Sequence, residues 1–332
     1  MDRNKTIDVL KGISILCVVL THYAWTQTER NTLLFPFWID MAVPMFMILS
    51  GYVYTESYVK REIESFEEAY NIKGMFTKSI RFLLPFTIIY ILEIYLASFD
   101  NYHYPLKQIY NAFLCGGFGP GSYYVPLMIQ FLFVFPVIYF VIKKYQFKGL
   151  LLCGLVNGVY EILQSAYGMN EQCYRLLLFR YILVISFGCY LALGIESSIK
   201  ASKAVISFLV GFIFILLCCY LNYTPKIIVY WTRTSFVACL YILPIAALLL
   251  KLNMRCKLLE CLGRTSYDIY LIQMVYYFIG ADHIYGMVKS RELQLVFSLV
   301  ICCMGGILFN YIERPITRRL MRVIENVNCE LK

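Results

Sequence analysis

The stretch Ile7-Asp8-Val9-Leu10-Lys11-Gly12-Ile13-Ser14-Ile15-Leu16-Cys17-Val18-Val19-Leu20-Thr21-His22-Tyr23-Ala24-Trp25 reads as a membrane-crossing helix with an ionisable residue near each end. From Lys11 to His22, eleven steps of about 100° return to the same helix face within roughly 20°. A rise of about 1.5 Å per residue sets the two side chains roughly 16 Å apart along that face. Ionisable groups inside a bilayer are costly and mark a pathway or a reaction centre. An otherwise apolar helix has little reason to carry both.

The rest of the chain agrees with a membrane setting. Of 332 residues, 60% are hydrophobic and 15% charged, with a mean hydropathy of +0.65. Soluble domains carry about 25% charged residues. About 20 apolar residues span a bilayer, and ten stretches qualify: 7–26, 35–54, 80–99, 122–142, 149–167, 178–196, 204–222, 229–250, 265–281 and 293–312. The expected fold class is therefore all-α: a polytopic membrane protein, a bundle of about ten transmembrane helices. With the N-terminus in the cytoplasm, 22 of the 30 Lys and Arg fall on the inner side and 8 on the outer side. That bias satisfies the positive-inside rule and puts both termini in the cytoplasm, so the number of spans is even. The charge of +9 does not point to nucleic acid, because the basic residues sit in short loops between apolar runs.

The expected location is the cell membrane, crossed many times, with the lipid bilayer as a partner. The first apolar run lacks an A-x-A-like exit and reads as a retained anchor. Residues 1–332 read as one membrane domain. The longest polar stretch, 56–79, contains Lys60-Arg61-Glu62-Ile63-Glu64-Ser65-Phe66-Glu67-Glu68, expected as an interfacial helix. Most of the 13 cysteines lie in apolar segments without C-x-x-C spacing, so they read as small apolar residues and no metal site is expected. Cys115 and Cys173 fall on the same outer side, where a disulfide is a lesser possibility.

Several polar residues are candidates for chemistry. His22 titrates near neutrality, so it can take a proton from a hydroxyl and return it. A histidine beside Tyr23 and Trp25 also fits an aromatic belt at the outer interface. Lys11 can snorkel to the cytoplasm or pair with Asp8, three residues before it. Lys78 and Arg81 share a helix face ahead of Pro85. Such a pair suits a phosphorylated ligand, a coenzyme or a lipid head group, or serves as ordinary flanking charge. Ser50-Gly51-Tyr52 closes the second stretch with small residues that admit close helix approach. Glu93 and Glu161 lie within apolar runs. Each is either a site residue or an internal partner, Glu161 for Arg175, Arg180 or a tyrosine hydroxyl. Tyr123 and Tyr124 open the fourth stretch at the outer level of His22.

These pieces, in their order along the chain, resemble the acyltransferase-3 family of integral membrane O-acyltransferases. The matching segments are Arg3-x-x-x-x-Asp8-x-Leu10-Lys11-Gly12 with Val18-Val19-Leu20-Thr21-His22; Val43-Pro44-Met45-Phe46-Met47-Ile48-Leu49-Ser50-Gly51-Tyr52; Lys78-x-x-Arg81-x-x-x-Pro85; Tyr123-Tyr124-Val125-Pro126-Leu127; Leu262-Gly263-Arg264-Thr265-Ser266-Tyr267-Asp268-Ile269-Tyr270-Leu271-Ile272-Gln273; and Ile312-Glu313-Arg314-Pro315. Arginine is usual in the family where Lys11 and Lys78 stand, and histidine is common where Gln273 stands. Lysine keeps the charge but loses the planar fork of arginine.

The resemblance implies a ten-helix bundle. It also implies transfer of an acyl group, most often acetyl, from acyl-CoA to a hydroxyl of a surface carbohydrate. Acetyl-CoA would be a co-substrate, with no bound cofactor. His22 would be the general base or a transient acyl carrier, Lys11 would stabilise negative charge, and Lys78 and Arg81 would hold the coenzyme phosphates. Buried His, Lys and Glu also serve proton relays, so a transporter or flippase for a lipid-linked sugar or small anion is the competing expectation.

Overall fold

Residues 4–99, 104–195, 200–223 and 225–330 are described in the structure, a computed structural model, with side chains of the last helix through residue 324. Arg3 of the first family segment, Lys332 of the charge count and Glu196 at the end of the sixth stretch lie outside these residues. Among the described residues, 81% are helical and none is in a strand.

The helices run in chain order: α1 (Lys5–Thr21), α2 (Gln27–Thr32), α3 (Ala42–Lys60), α4 (Phe66–Ala69), α5 (Ile72–Phe99), α6 (Leu106–Leu114), α7 (Tyr124–Ala166), α8 (Glu171–Leu176), α9 (Ile182–Ala192), α10 (Ala201–Tyr220), α11 (Phe236–Lys251), α12 (Lys257–Arg264), α13 (Ser266–Val275), α14 (Ala281–Met287) and α15 (Arg291–Glu330). Each of the ten apolar stretches falls on a helix. Five helical runs are long and apolar enough to cross a membrane: Phe35–Lys60, Phe66–Phe99, Tyr124–Ala166, Ala201–Tyr220 and Arg291–Ile324. The chain is therefore a membrane protein.

Boundaries moved where side chains intervene. α1 stops at Thr21, short of the expected 26, and His22 is its C-cap. The indole Nε1 of Trp25 donates to the Leu20 carbonyl at 2.7 Å, and Arg30 Nη2 donates to the Thr21 carbonyl at 2.7 Å. Terminal carbonyls that find such donors need no further turn of helix. α3 runs on to Lys60, so Ser50 and Gly51 lie inside it rather than at its end. The stretch expected as an interfacial helix is instead the end of α3, a turn at Arg61 and Glu62, and the single turn of α4, which Ser65 and Glu68 cap reciprocally. The fourth and fifth stretches form one helical run, α7, kinked at Gln146 (φ 48°, ψ −122°). That position lies among Lys143, Lys144 and Lys148, the charges expected to separate two spans. Cys115 and Cys173 are both free thiols.

The helices pack as two clusters. One gathers Met47, Leu49, Phe131, Phe135, Ile185 and Ala246 from α3, α7, α9 and α11. The other gathers Ile15, Val19, Phe86, Ile269, Met274 and Cys302 from α1, α5, α13 and α15. Two helix crossings depend on paired glycines. A Cβ on Gly12 of α1 would lie 2.2 Å from the Leu259 carbonyl oxygen, and one on Gly263 of α12 would lie 1.8 Å from that of Asp8. Gly51 of α3 and Gly188 of α9 meet the Ile185 and Ile48 carbonyls in the same reciprocal way. Without side chains the backbones come into contact, as small residues permit in membrane bundles.

Candidate functional site

The seam between the two clusters holds a cavity of about 270 Å³. Lys11 and His22 reach it from one face of α1, as their spacing predicts. Ser50 and Tyr54 enter from α3, Arg81 from α5, Tyr123 and Tyr124 from the start of α7, and Tyr270 from α13. Arg264 closes α12 and lines the cavity too. The Gly12–Gly263 crossing lets α12 lie directly on α1, which brings Arg264 to the wall that Lys11 occupies. Three cations, Lys11, Arg81 and Arg264, thus line the same cavity as His22.

His22 sits at the break between α1 and the following loop, against a second chain turn. The segment Gly116-Gly117-Phe118-Gly119-Pro120-Gly121 passes beside it with φ of +92°, +114° and +84° at Gly116, Gly117 and Gly121. Only glycine takes such angles readily. A Cβ on Gly121 would stand 3.5 Å from His22 Nε2, 3.5 Å from the Tyr270 ring and 3.8 Å from Gln273 Nε2. The loop is tied down on several sides. Glu93 accepts from the backbone N–H of Phe118 at 3.1 Å and of Gly119 at 3.2 Å. Tyr270 donates to the Gly121 carbonyl at 3.1 Å, and Gln273 to the Pro120 carbonyl at 2.9 Å. The His22 ring faces Tyr277 at 6.0 Å, and Tyr277 donates back to the Val19 carbonyl of α1 at 2.9 Å.

Beyond His22 a second chamber opens, about 420 Å³ in volume. It shares Val18, His22, Val43, Gly121 and Tyr123 with the first. Its other walls bear Arg30 from α2, Arg175 from α8, and Asp40, Trp231 and Arg233 from the connecting segments. His22 therefore stands on the partition between two cavities, one running back along α1 to Lys11 and one opening past its C-terminus.

Not every sequence candidate joins them. Lys78 stands behind the first cavity, its ammonium 5.6 Å from the ring centres of both Tyr54 and Tyr58. Asp8 is buried in the first turn of α1 and lines neither cavity; its carbonyl is the surface on which Gly263 packs. Glu93 holds the glycine loop through its backbone. Glu161 is fully buried and takes the Tyr174 hydroxyl at 2.8 and 3.0 Å, the tyrosine partnership that was one of its two readings. Tyr54 also lines the first cavity, as do Arg264 and Tyr270 of the segment 262–273, to which the sequence assigns no individual role. Gly263, directly before Arg264, marks the close crossing.

A family model described as an acyltransferase domain matches residues 4–312. No curated protein matches the chain, and no solved structure does. The match spans every helix that lines the two cavities, from α1 through α13. This membrane protein belongs to the acyltransferase-3 family and is an acyltransferase.

Proposed function

We propose that the protein is a membrane-bound O-acyltransferase that moves an acyl group, acetyl by preference, from acyl-CoA to a hydroxyl of a cell-surface or lipid-linked carbohydrate. The observation that carries this reading is the place of His22 on the partition between two cavities. Three cations line the first, and a polar chamber opens on the other side.

The chemistry follows from that arrangement. The phosphates of the coenzyme lie against Arg81 and Arg264, with Lys78 and Lys11 adding positive potential. The pantetheine arm extends along α1, over the roughly 16 Å that eleven helical residues span. The acceptor approaches from the second chamber. The imidazole of His22 takes the hydroxyl proton as the alcohol oxygen attacks the thioester carbonyl. The C–O bond forms, the C–S bond breaks, and the departing thiolate takes the proton back from the imidazolium. Proton and electron pairs balance without a further reactant. Transient acylation of the imidazole, followed by attack of the alcohol, uses the same residue in two steps.

The loop charges support an orientation with both termini and the first cavity on the cytoplasmic side, where acyl-CoA is made. Ten crossings then fit the ten apolar stretches, and the membrane is the cell membrane. Tyr124 and Ser50, between His22 and the cations, would line the path of the acyl group.

The test uses purified protein in lipid nanodiscs with acetyl-CoA labelled on the acetyl group and a panel of oligosaccharides. Label transferred to a carbohydrate by wild type, and not by His22→Ala, is the expected result. Wild type that never consumes the thioester with any acceptor overturns the reading and favours the transporter.

A further inference from the structure

We propose that the chamber beyond His22 selects an acceptor bearing an oxyanion, a carboxylate or phosphate on the sugar, so that the carbohydrate modified is acidic. The inference rests on the acyl-transfer reading for the reaction, but the binding it describes can be measured without turnover.

Three guanidinium groups, Arg30, Arg175 and Arg233, face the chamber, against the single carboxylate of Asp40 among the described residues that line it. Asp40 is divided between two of them, 3.9 Å from Arg30 and 3.4 Å from Arg233. Arg30 spends a further donor on the Thr21 carbonyl. Arg175 has a buried Nε with no acceptor in the protein. Guanidinium stays charged at any physiological pH and grips carboxylate or phosphate through paired N–H donors. The wall therefore holds an excess of positive charge and of donors that the protein itself does not satisfy.

A deeper layer reinforces it. Arg180 is fully buried beneath Trp231, 4.8 Å from its ring centre and 4.7 Å from that of Tyr181. Its Nε and Nη1 find no acceptor. Trp231 holds a left-handed backbone, φ +51°, which a bulky residue adopts only where its surroundings enforce it. Its indole donates to Glu171 at 2.7 Å, which takes that carboxylate's nearer oxygen. An aromatic wall backed by a cation suits the face of a sugar ring beside an anionic substituent.

The distribution of charge makes the same point. The outer loops are depleted of basic residues, with 8 against 22 inside. Four of those eight, Arg30, Arg175, Arg180 and Arg233, lie at this one chamber. Topology disfavours basic residues on that side, so their concentration around a cavity points to a ligand.

The experiment is calorimetric titration of wild-type protein in nanodiscs with glucose, glucuronic acid and glucose 6-phosphate, repeated for Arg175→Gln and Arg233→Gln. Wild type is expected to bind at least one acidic sugar about tenfold more tightly than glucose, and each variant to lose most of that ratio. The tighter of the two acidic probes identifies carboxylate or phosphate as the group read. Melting temperatures within a degree or so of wild type show that the variants are folded. Equal binding of acidic and neutral sugars, no detectable binding of either acidic probe, or a preference untouched by both variants overturns the proposal. Failure of acyl transfer with intact acidic preference would instead count against the catalytic reading alone.

Discussion

His22 combines two properties that sequence and structure supply separately. Its spacing from Lys11 puts both on one helix face. Its position as the C-cap of α1 puts it beside a glycine loop that leaves room for the imidazole to face two cavities. Loss of a positioned general base costs about 10²- to 10⁴-fold. His22→Ala is therefore expected to lower kcat by at least about 10²-fold with little change in melting temperature, measured by acetyl transfer and differential scanning fluorimetry. In the proposed reaction Arg264 acts on binding of the coenzyme rather than on the reacting atoms. Arg264→Gln should raise KM for acyl-CoA by about tenfold and leave kcat within a few-fold. A substitution that lowers kcat alone would place Arg264 elsewhere in the reaction. The histidine was legible because a cation, ten residues and an imidazole form a pattern along one helix. Arg264 was not, since its approach to Lys11 depends on a crossing 250 residues apart in sequence.

At the scale of elements, glycine and a few side-chain bonds decide how the site is assembled. Gly263 and Gly12 bring α12 and α1 into backbone contact. Gly263→Val forces those helices apart, where overpacking costs roughly 1–3 kcal/mol or more. The expected outcome is a lower melting temperature and loss of acyl transfer, whereas Gly286→Val, with open space around it, should leave both unchanged. The loop at 116–121 is held by Glu93, whose carboxylate clamps the backbone of the partition beside His22. A second clamp joins α2 to the start of α15. Arg291 Nη1 donates to Glu29 at 2.7 Å and Nη2 at 3.1 Å, and Nη2 also donates to the Ala24 carbonyl at 2.9 Å.

The Thr26 backbone N–H, and next the Arg291 guanidinium, hold the Glu29 carboxyl below the usual carboxylate range. A carboxyl more acidic in the folded state stabilises fully above its unfolded pKa, about 4.3, and that contribution is lost as pH falls through the lower folded value. Between pH 7 and 5 the melting temperature of Glu29→Gln should therefore sit slightly below that of wild type by a constant margin. The margin should close as the buffer is taken below about pH 4. The pair is exposed and the effect small, as for surface ion pairs in general.

For the molecule as a whole, two cavities meet at His22, and the loop charges predict which of them faces the cytoplasm. Two native cysteines report that orientation. Cys173 is exposed in α8, two residues from Arg175 of the second chamber, and Cys256 is exposed at the start of α12, the helix that ends at Arg264 of the first. A membrane-impermeant maleimide applied to intact cells should label Cys173 and spare Cys256 until the membrane is permeabilised, with sites assigned by mass spectrometry. The reverse pattern would invert the topology and put the cationic cavity outside.

Composition, apolar run length and charge bias determined an all-helical membrane protein, and the ordered motifs determined its family, because those signals are local and each is read along a single segment. Only the tertiary structure decided which polar residues face a common space. Helices distant in sequence meet where glycines allow, and α1 ends where Trp25 and Arg30 satisfy its carbonyls. Arg30 of α2, Arg175 of α8 and Arg233 therefore share a chamber that no one-dimensional spacing encodes.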